Sequence, residues 1–89
     1  MIGPVPRSPD GTYPIEQGAT YRATLDIAAP PWIINEGVVS SRLNGAGFRV
    51  QSVRRLAPQR FEALGERTGP SGAFEAPERV TIVALERTA

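Results

Sequence analysis

The most regular pattern of hydrophobic and polar positions lies in residues 20–27. Apolar side chains occupy every second position there, and polar or small side chains fill the positions between them. This period of two predicts a β-strand with one buried face and one face toward solvent. The apolar positions are Tyr21, Ala23, Leu25 and Ile27. Pro30 and Pro31 end the strand, because proline has no backbone N–H to donate to a neighbouring strand.

A helical pattern follows in residues 32–46. Four apolar residues fall on one stripe of a helical wheel, which predicts an amphipathic helix. They are Trp32, Val39, Leu43 and Ala46. Pro31 suits the first turn of this helix, where its missing N–H costs little. Gly47 is predicted to end the helix in a left-handed capping conformation.

Three segments complete the chain. Residues 48–56 return to a β pattern whose alternation slips once, which indicates a β-bulge. Residues 58–78 are rich in Gly and Pro, and they are predicted to be mostly loop with a short edge strand at 60–67 opposite the preceding strand. Residues 79–87 contain a continuous apolar run, which is typical of a strand covered on both faces.

The predicted order of elements leads to a fold class. A strand–helix–strand unit crosses over with a right hand in almost every known case, which makes its strands parallel and places the helix on one face. The last strand is expected to lie antiparallel beside the first. This β-α-β(-β)-β arrangement is an α+β fold that resembles a partial ferredoxin-like sheet with one helix missing.

Residues 1–18 contain four prolines and three glycines, which interrupt both helices and sheet ladders. They predict an extended N-terminal arm, followed by a single α+β domain at residues 19–89, since a chain of 89 residues has room for only one domain. Three arrangements of the arm stay open: disorder, docking on another chain, and folding back onto its own domain.

The composition excludes several kinds of chemistry. The chain has no Cys and no His, so a single copy has no thiolate nucleophile, disulfide, imidazole base or Cys/His zinc site. All ten basic residues are Arg, which excludes catalysis by a lysine Schiff base. We therefore predict no enzyme activity, no catalytic residue, no metal site and no cofactor.

The expected location follows from the absence of targeting patterns. The N-terminal sequence lacks the basic and apolar regions of a signal peptide. No apolar stretch approaches the roughly 18 residues that a membrane-spanning helix needs. We expect a protein of the cytoplasm or of a macromolecular assembly, without insertion into a membrane.

A shortage of core-forming residues is the main argument about function. One helix covers one face of a small sheet, whereas the last strand offers apolar side chains to both faces. Small domains without disulfides or metals commonly depend on association. We therefore expect a non-enzymatic structural or interaction protein, a small subunit of a homo-oligomer or of a larger, virion-type assembly. The expected partner-interface residues are Trp32, Val80, Ile82, Val83 and Leu85.

Two alternative functions stay open. Residues 49–67 hold five Arg and two Glu, which indicates a surface where guanidinium groups contact the phosphates of a nucleic acid. The candidate contacts are Arg49, Arg54, Arg55 and Arg60. The chain's net charge of +1 is low for a dedicated nucleic-acid-binding protein. The other alternative is a regulatory domain that binds a small ligand near residues 45–48 at a dimer interface.

Overall fold

The computed structural model describes residues 2–89 and has a five-stranded antiparallel sheet at its centre. The elements in chain order are β1 (Gly3–Pro4), β2 (Tyr13–Ile15), β3 (Thr20–Ile27), a 3-10 turn (Pro31–Ile33), α1 (Glu36–Gly45), β4 (Phe48–Ala57), β5 (Arg60–Arg67), β6 (Gly72–Phe74) and β7 (Val80–Arg87). The sheet order is β1-β7-β3-β5-β4, and β2 pairs with β6 in a separate ribbon. The predicted α+β class is confirmed.

Strand β3 lies in the middle of the sheet, where its alternation buries Tyr21, Leu25 and Ile27 on one side. Strand β7 pairs antiparallel with β3, as predicted. Strands β3 and β4 run in the same direction, but β5 lies between them and is antiparallel to both. Residues 60–67 therefore form a central strand and not the edge strand that the sequence predicted. The tight turn after Ala57 folds β5 back along β4, so β4 becomes the edge.

The helix begins at Glu36 rather than at residue 32. Asn35 takes an extended conformation, and its side-chain oxygen accepts a hydrogen bond of 2.9 Å from the Val38 N–H, which is a helix N-cap. Residues 31–33 form the 3-10 turn instead, so Trp32 lies outside the helix. The predicted end is confirmed, because Gly47 follows the helix with a φ of +94°.

The N-terminal residues pack on the sheet, so the predicted extended arm at 1–18 is not confirmed. Strand β1 pairs with β7, and β2 pairs with β6. Tyr13 and Ile15 are buried in a cluster with Tyr21, Phe74 and Leu85. Of the three arrangements, residues 3–18 follow the one in which the segment folds back on its own domain, while Met1 lies outside the described residues.

The region 58–78 contains two strands, so the predicted long loop is much shorter. Strand β5 takes residues 60–67 and β6 takes residues 72–74. The predicted bulge in the preceding strand is confirmed, because the β4–β5 register shifts between Val50 and Ser52. A second shift lies between Arg55 and Ala57.

The core lies on one side of the sheet, which we call the inner face. Helix α1 covers the half nearer β4, where Val39 packs with Leu25 and Phe61. The β2–β6 ribbon covers the end of the sheet where Tyr21 and Leu85 lie. The opposite side, the outer face, has no element packed on it within residues 2–89, so the prediction that residues 79–87 are covered on both faces is wrong. Val83 in β7 is 46% exposed.

Candidate protein-binding surface

The outer face carries charged side chains in neutral pairs. Four arginines each lie 2.6 to 3.4 Å from a carboxylate oxygen on the neighbouring strand. The pairs are Arg22–Glu86, Arg49–Glu66, Arg54–Glu62 and Arg60–Asp26. Opposite charges that face each other across an antiparallel pair of strands stabilise the sheet modestly. The outer face is therefore stable in water without a covering layer.

This arrangement is inconsistent with the predicted shortage of core, which required cover for β7 on both sides of the sheet. In the structure, the side chains of β3 and β5 that face outward are mostly polar and paired, so the sheet has one wet side and one dry side. Antiparallel sheets commonly have this arrangement. A role in association consequently needs a different structural basis.

The four arginines predicted to contact nucleic acid do not form a free basic surface. Arg49, Arg54 and Arg60 belong to the neutral pairs of the outer face. Arg55 turns toward the inner face, where its guanidinium lies 4.9 Å from the centre of the Phe61 ring. Ion pairing reduces the field available to phosphates, so the geometry favours this function less than the sequence did.

The five predicted interface residues divide between surface and core. Trp32 and Val83 are exposed. Val80 and Leu85 are buried by this chain's own residues, and Ile82 is half-buried against the same core. Buried side chains cannot contact a partner while the domain stays folded, so only Trp32 and Val83 stand as candidates.

Trp32 is the most exposed large hydrophobic residue of the described chain. Its side chain is 84% exposed, and the adjacent Ile33 is 58% exposed. We call these two residues the Trp32 surface. The other aromatic side chains are buried or half-buried in the core. An exposed aromatic next to a second apolar residue is typical of binding sites.

The turn that carries Trp32 is anchored on both sides. Ala29 before it and Ile34 after it are buried. The side-chain amide of Gln59 donates a hydrogen bond of 2.6 Å to the Ala29 carbonyl. The Arg55 guanidinium donates to the Ile34 carbonyl, which joins the turn to the end of β4. The exposed side chains of Trp32 and its neighbour are thus held on a backbone of defined shape.

A buried arginine organises the opposite end of the sheet. Arg67 is 8% exposed, and its guanidinium lies 5.0 Å from the Phe48 ring centre and 5.2 Å from that of Phe74. It donates hydrogen bonds to the carbonyls of Ala46, at 2.8 Å, and Pro70, at 3.2 Å. Burial lowers the pKa of the Arg67 guanidinium. The guanidinium keeps its charge at neutral pH, because an arginine side chain does not lose its proton in proteins.

Arg67 has a structural role that the sequence did not reveal. The Ala46 carbonyl belongs to the C-cap of α1, so the cation lies at the negative end of the helix dipole. The same guanidinium ties the helix end to the loop before β6. In the sequence, Arg67 is one of the five arginines of residues 49–67. The one sequence signal for its burial is that Arg67 and Phe61 are separated by an even number of positions, which places both side chains on the same, buried face of β5.

The structure gives little support to a small-ligand site near residues 45–48. The Gly47 carbonyl accepts hydrogen bonds from the Thr68 and Gly69 N–H groups, which closes this segment internally. The apolar cavity under α1 and β6 has a volume of about 30 Å³. A single water needs roughly 10–15 Å³ on this measure, so the cavity is far smaller than a metabolite.

Hydrogen bonds lower the pKa of two carboxylates among residues 2–89. The hydrogen bond from Arg60 lowers the pKa of Asp26, and the hydrogen bond from the Thr12 side chain lowers the pKa of Asp10. Both effects favour the ionised carboxylate, whereas a general acid needs a raised pKa. Within the same residues, His, Cys, Asp and Glu form no group of three that could hold a metal ion.

Comparison of the chain with protein families, with curated proteins and with solved structures finds no match. In the part of the chain that the structure describes, no helix has both the length and the apolar character required to cross a membrane.

Proposed function

We propose that this chain is a non-enzymatic interaction protein, a small subunit of a homo-oligomer in which a neighbouring copy covers the Trp32 surface. The observation that carries the proposal is the 84% exposure of Trp32 on an anchored turn, beside the exposed Ile33. Trp is strongly enriched among the residues that dominate binding energies. The proposal does not require an uncovered apolar face of the sheet, which was the basis of the expectation from the sequence. A place in a larger, virion-type assembly is the broader form of the same proposal.

The expected contribution of Trp32 is large. A Trp side chain buries about 150–250 Å² when it is fully enclosed. At about 25 cal/mol per Å² this area corresponds to roughly 4–6 kcal/mol before the entropic cost of association. Truncation of a central interface Trp typically weakens binding by about 2 kcal/mol or more, which is about thirtyfold in Kd. We expect a loss of that size for Trp32→Ala.

The experiment uses the fact that Trp32 is the only Trp in the chain. Sedimentation equilibrium over a range of protein concentrations measures self-association, and tryptophan fluorescence over the same range reports on Trp32 alone. We expect oligomers at micromolar concentration and a shift of the emission to shorter wavelength as they form. Trp32→Ala is expected to raise the dissociation constant without changing the far-ultraviolet circular dichroism of the monomer.

Val83→Ala is the matched control. Val83 is also an exposed apolar residue, but it lies on β7, outside the Trp32 surface. We expect this variant to associate like the unaltered chain. Loss of association in Val83→Ala but not in Trp32→Ala would place the interface on the sheet instead. A monodisperse monomer at micromolar concentration with solvent-exposed Trp emission would refute the proposed self-association.

The finer description of the fold as partial ferredoxin-like belongs to the same proposal. The order β7-β3-β5-β4 supports it, together with the position of α1 between β3 and β4. In a full β-α-β-β-α-β arrangement, a second helix would connect β5 to β7. In this chain the short strand β6 occupies that connection.

A further inference from the structure

Residues 2–16, which we call the N-terminal segment, are attached to the rest of the fold by few backbone hydrogen bonds. Strand β1 pairs with β7 at two positions, and the Val5 N–H donates to the Leu85 carbonyl. Among residues 2–89, β2 pairs only with β6, at three positions, and has no strand partner in the five-stranded sheet. The segment is therefore able to leave its place without breaking the pairing of the central strands.

The segment fills an apolar groove with two side chains. Tyr13 and Ile15 are 8% and 3% exposed. They pack in one cluster with Tyr21, Phe74 and Leu85. The groove thus accepts an extended segment with an aromatic and a β-branched side chain two positions apart. Without this occupant the three cluster residues of the domain would lie in water, which is unfavourable for large apolar side chains.

A single short turn directs the segment into the groove of its own copy. The Gly18 N–H donates to the Arg67 carbonyl and the Arg67 N–H donates to the Ala19 carbonyl, so both residues continue the pairing of β3 with β5. The chain reverses just before them, in a turn closed by a hydrogen bond from the Ala19 N–H to the Glu16 carbonyl. Gly18 has a φ of +88°, which L residues rarely adopt. An extended backbone at this turn would carry the segment away from its own groove and toward a neighbouring copy.

The balance between a closed copy and an exchanged pair depends on this turn and on the protein concentration. The contacts in the groove are the same whether the segment comes from the same copy or from a neighbour. Hydrogen bonds from the Gln17 N–H to Ser71 Oγ and from the Gln17 side-chain amide to the Thr68 carbonyl favour the closed copy. The short connection keeps the segment at an effective concentration of about millimolar. Four prolines restrict its backbone, which reduces the entropy lost when it docks on another copy.

The order of synthesis also favours exchange when several chains fold close together. The segment is translated first, whereas Phe74 and Leu85 complete its groove only when β6 and β7 follow. Pairing between such distant parts of a chain is slow, and exchange of elements between chains is a known result of slow assembly. A segment is thus able to meet the groove of a neighbour before that of its own copy is complete.

We infer that copies of this chain exchange residues 2–16, so that Tyr13 and Ile15 of each copy fill the groove of the other. The partner for this surface is a second copy of the same chain. The inference rests on the proposed function as a subunit of a homo-oligomer, and it adds a contact between copies that does not involve Trp32.

The test uses cysteine substitutions, because the chain has no Cys of its own. Pro14 and Ala73 are exposed and lie opposite each other in the β2–β6 ribbon. Opposed residues of antiparallel strands have their Cα atoms within disulfide range. Chains with Pro14→Cys alone and chains with Ala73→Cys alone are mixed, unfolded in urea, refolded together over a range of concentrations and oxidised. An exchanged pair places the two cysteines opposite each other, so mass spectrometry of the covalent heterodimer measures exchange.

Gly18→Ala tests the role of the turn. We expect the unaltered turn to allow exchange at about millimolar concentration, where neighbours compete with the chain's own segment. Alanine is strained at this φ, and exchange relieves the strain in both copies. We therefore expect exchange of Gly18→Ala chains at about thirtyfold lower concentration, about fivefold for each copy. Gly72→Ala is the matched control, because Gly72 also has a positive φ and open space around its Cβ position but lies in β6, outside the turn.

Three results would overturn the inference. The first is a yield of heterodimer no higher than that from Pro14→Cys mixed with Val83→Cys, whose cysteine lies on β7 and not on β6. The second is the same concentration dependence with and without Gly18→Ala. The third, which needs no cysteine variant to fold, is a Gly18→Ala chain that sediments no differently from the unaltered chain up to about millimolar concentration.

The Trp32→Ala substitution, added to both chains of the mixture, separates this inference from the proposed function. We expect the heterodimer with the 14–73 disulfide to form in that background too, because the groove does not involve Trp32. Its loss there would assign the cross-link to association through the Trp32 surface and would refute exchange. Association that depends on Trp32 but gives no 14–73 disulfide would support the proposed function and refute the exchange.

Discussion

Replacement of Arg67 tests whether a buried cation without a carboxylate partner stabilises this fold. Its two cation–π contacts contribute about 1 kcal/mol each. Its two shorter hydrogen bonds to carbonyl oxygens contribute about 1.5 kcal/mol each, since one partner is charged. These favourable contacts sum to about 5 kcal/mol. Removing the guanidinium from water costs several kcal/mol and offsets part of that sum. The net contribution of the charged group is therefore smaller than this sum.

Truncation has a larger effect than this net value. Arg67→Ala leaves the Ala46 and Pro70 carbonyls without their donor and opens a void between Phe48 and Phe74. We expect a loss of about 3 kcal/mol in the free energy of unfolding. Arg67→Met fills most of the void and avoids the desolvation of the charge, so its expected loss is about 1–2 kcal/mol. Arg67→Lys keeps the charge but cannot bond both carbonyls, and its expected loss is about 2 kcal/mol.

Urea unfolding followed by far-ultraviolet circular dichroism gives these values, provided that the variants share one m value. Trp32 fluorescence is a poor probe of unfolding for an isolated copy, because its side chain is already exposed in the folded state. A stability of Arg67→Met equal to or above that of the unaltered chain would refute the reasoning. It would show that the desolvation of the guanidinium outweighs the ring and carbonyl contacts.

Three further predictions concern other parts of the molecule. Gly47→Ala should lower the stability by about 1–3 kcal/mol, more than Gly18→Ala in the same urea assay. Both glycines have φ near +90°, so the backbone strain of an alanine is similar at the two positions. A Cβ at Gly47 would lie 2.9 Å from Arg67 Nη1, whereas a Cβ at Gly18 meets nothing within 4 Å. Equal losses of stability in the two variants would contradict a role for this contact. The pKa of Asp26 is lower in the folded state than in the unfolded state, so its contribution to stability is present above the unfolded pKa and is lost as pH falls through the folded pKa. Asp26→Asn should therefore flatten the acid limb of a stability–pH profile, and an unchanged limb would count against the Arg60 pair. Labelled oligonucleotides should show no salt-dependent binding, and a steep salt dependence would restore the nucleic-acid hypothesis.

The main strands could be predicted from the sequence because their patterns are local. The period of two in β3 identified its buried face correctly, and the interruption in residues 48–56 indicated the bulge of β4. The run from Val80 to Leu85 identified β7 but not its environment. A continuous apolar run does not distinguish a strand with two buried faces from one in which a bulge changes the direction of the side chains.

The start of the helix was predicted wrongly because two signals conflict. Trp32 fits the apolar stripe of the helix, and a wheel analysis therefore includes it. Asn35 followed by Glu36 is a typical helix start, and the β-branched Ile33 and Ile34 before it favour an extended backbone. The capping signal is the correct one here, and it separates Trp32 from the helix and leaves it in solvent.

The features that depend on distant pairing could not be predicted. The three-residue strand β2 is too short to show a period, and its partner β6 lies almost sixty residues later in the chain. The ion pairs of the outer face depend on the register of three strand pairs. The environment of Arg67 is built by residues on both sides of it in the sequence, so no local pattern marks it as buried.

The place of β7 between β1 and β3 determines when the chain is able to fold in a cell. The β4–β5 hairpin emerges from the ribosome with both of its strands together. By contrast, β1 and one side of β3 find their neighbour only after Arg87 has left the exit tunnel. The five-stranded sheet is consequently completed only after β7 has been translated. Slow, non-local pairing of this kind leaves a nascent chain accessible to chaperones.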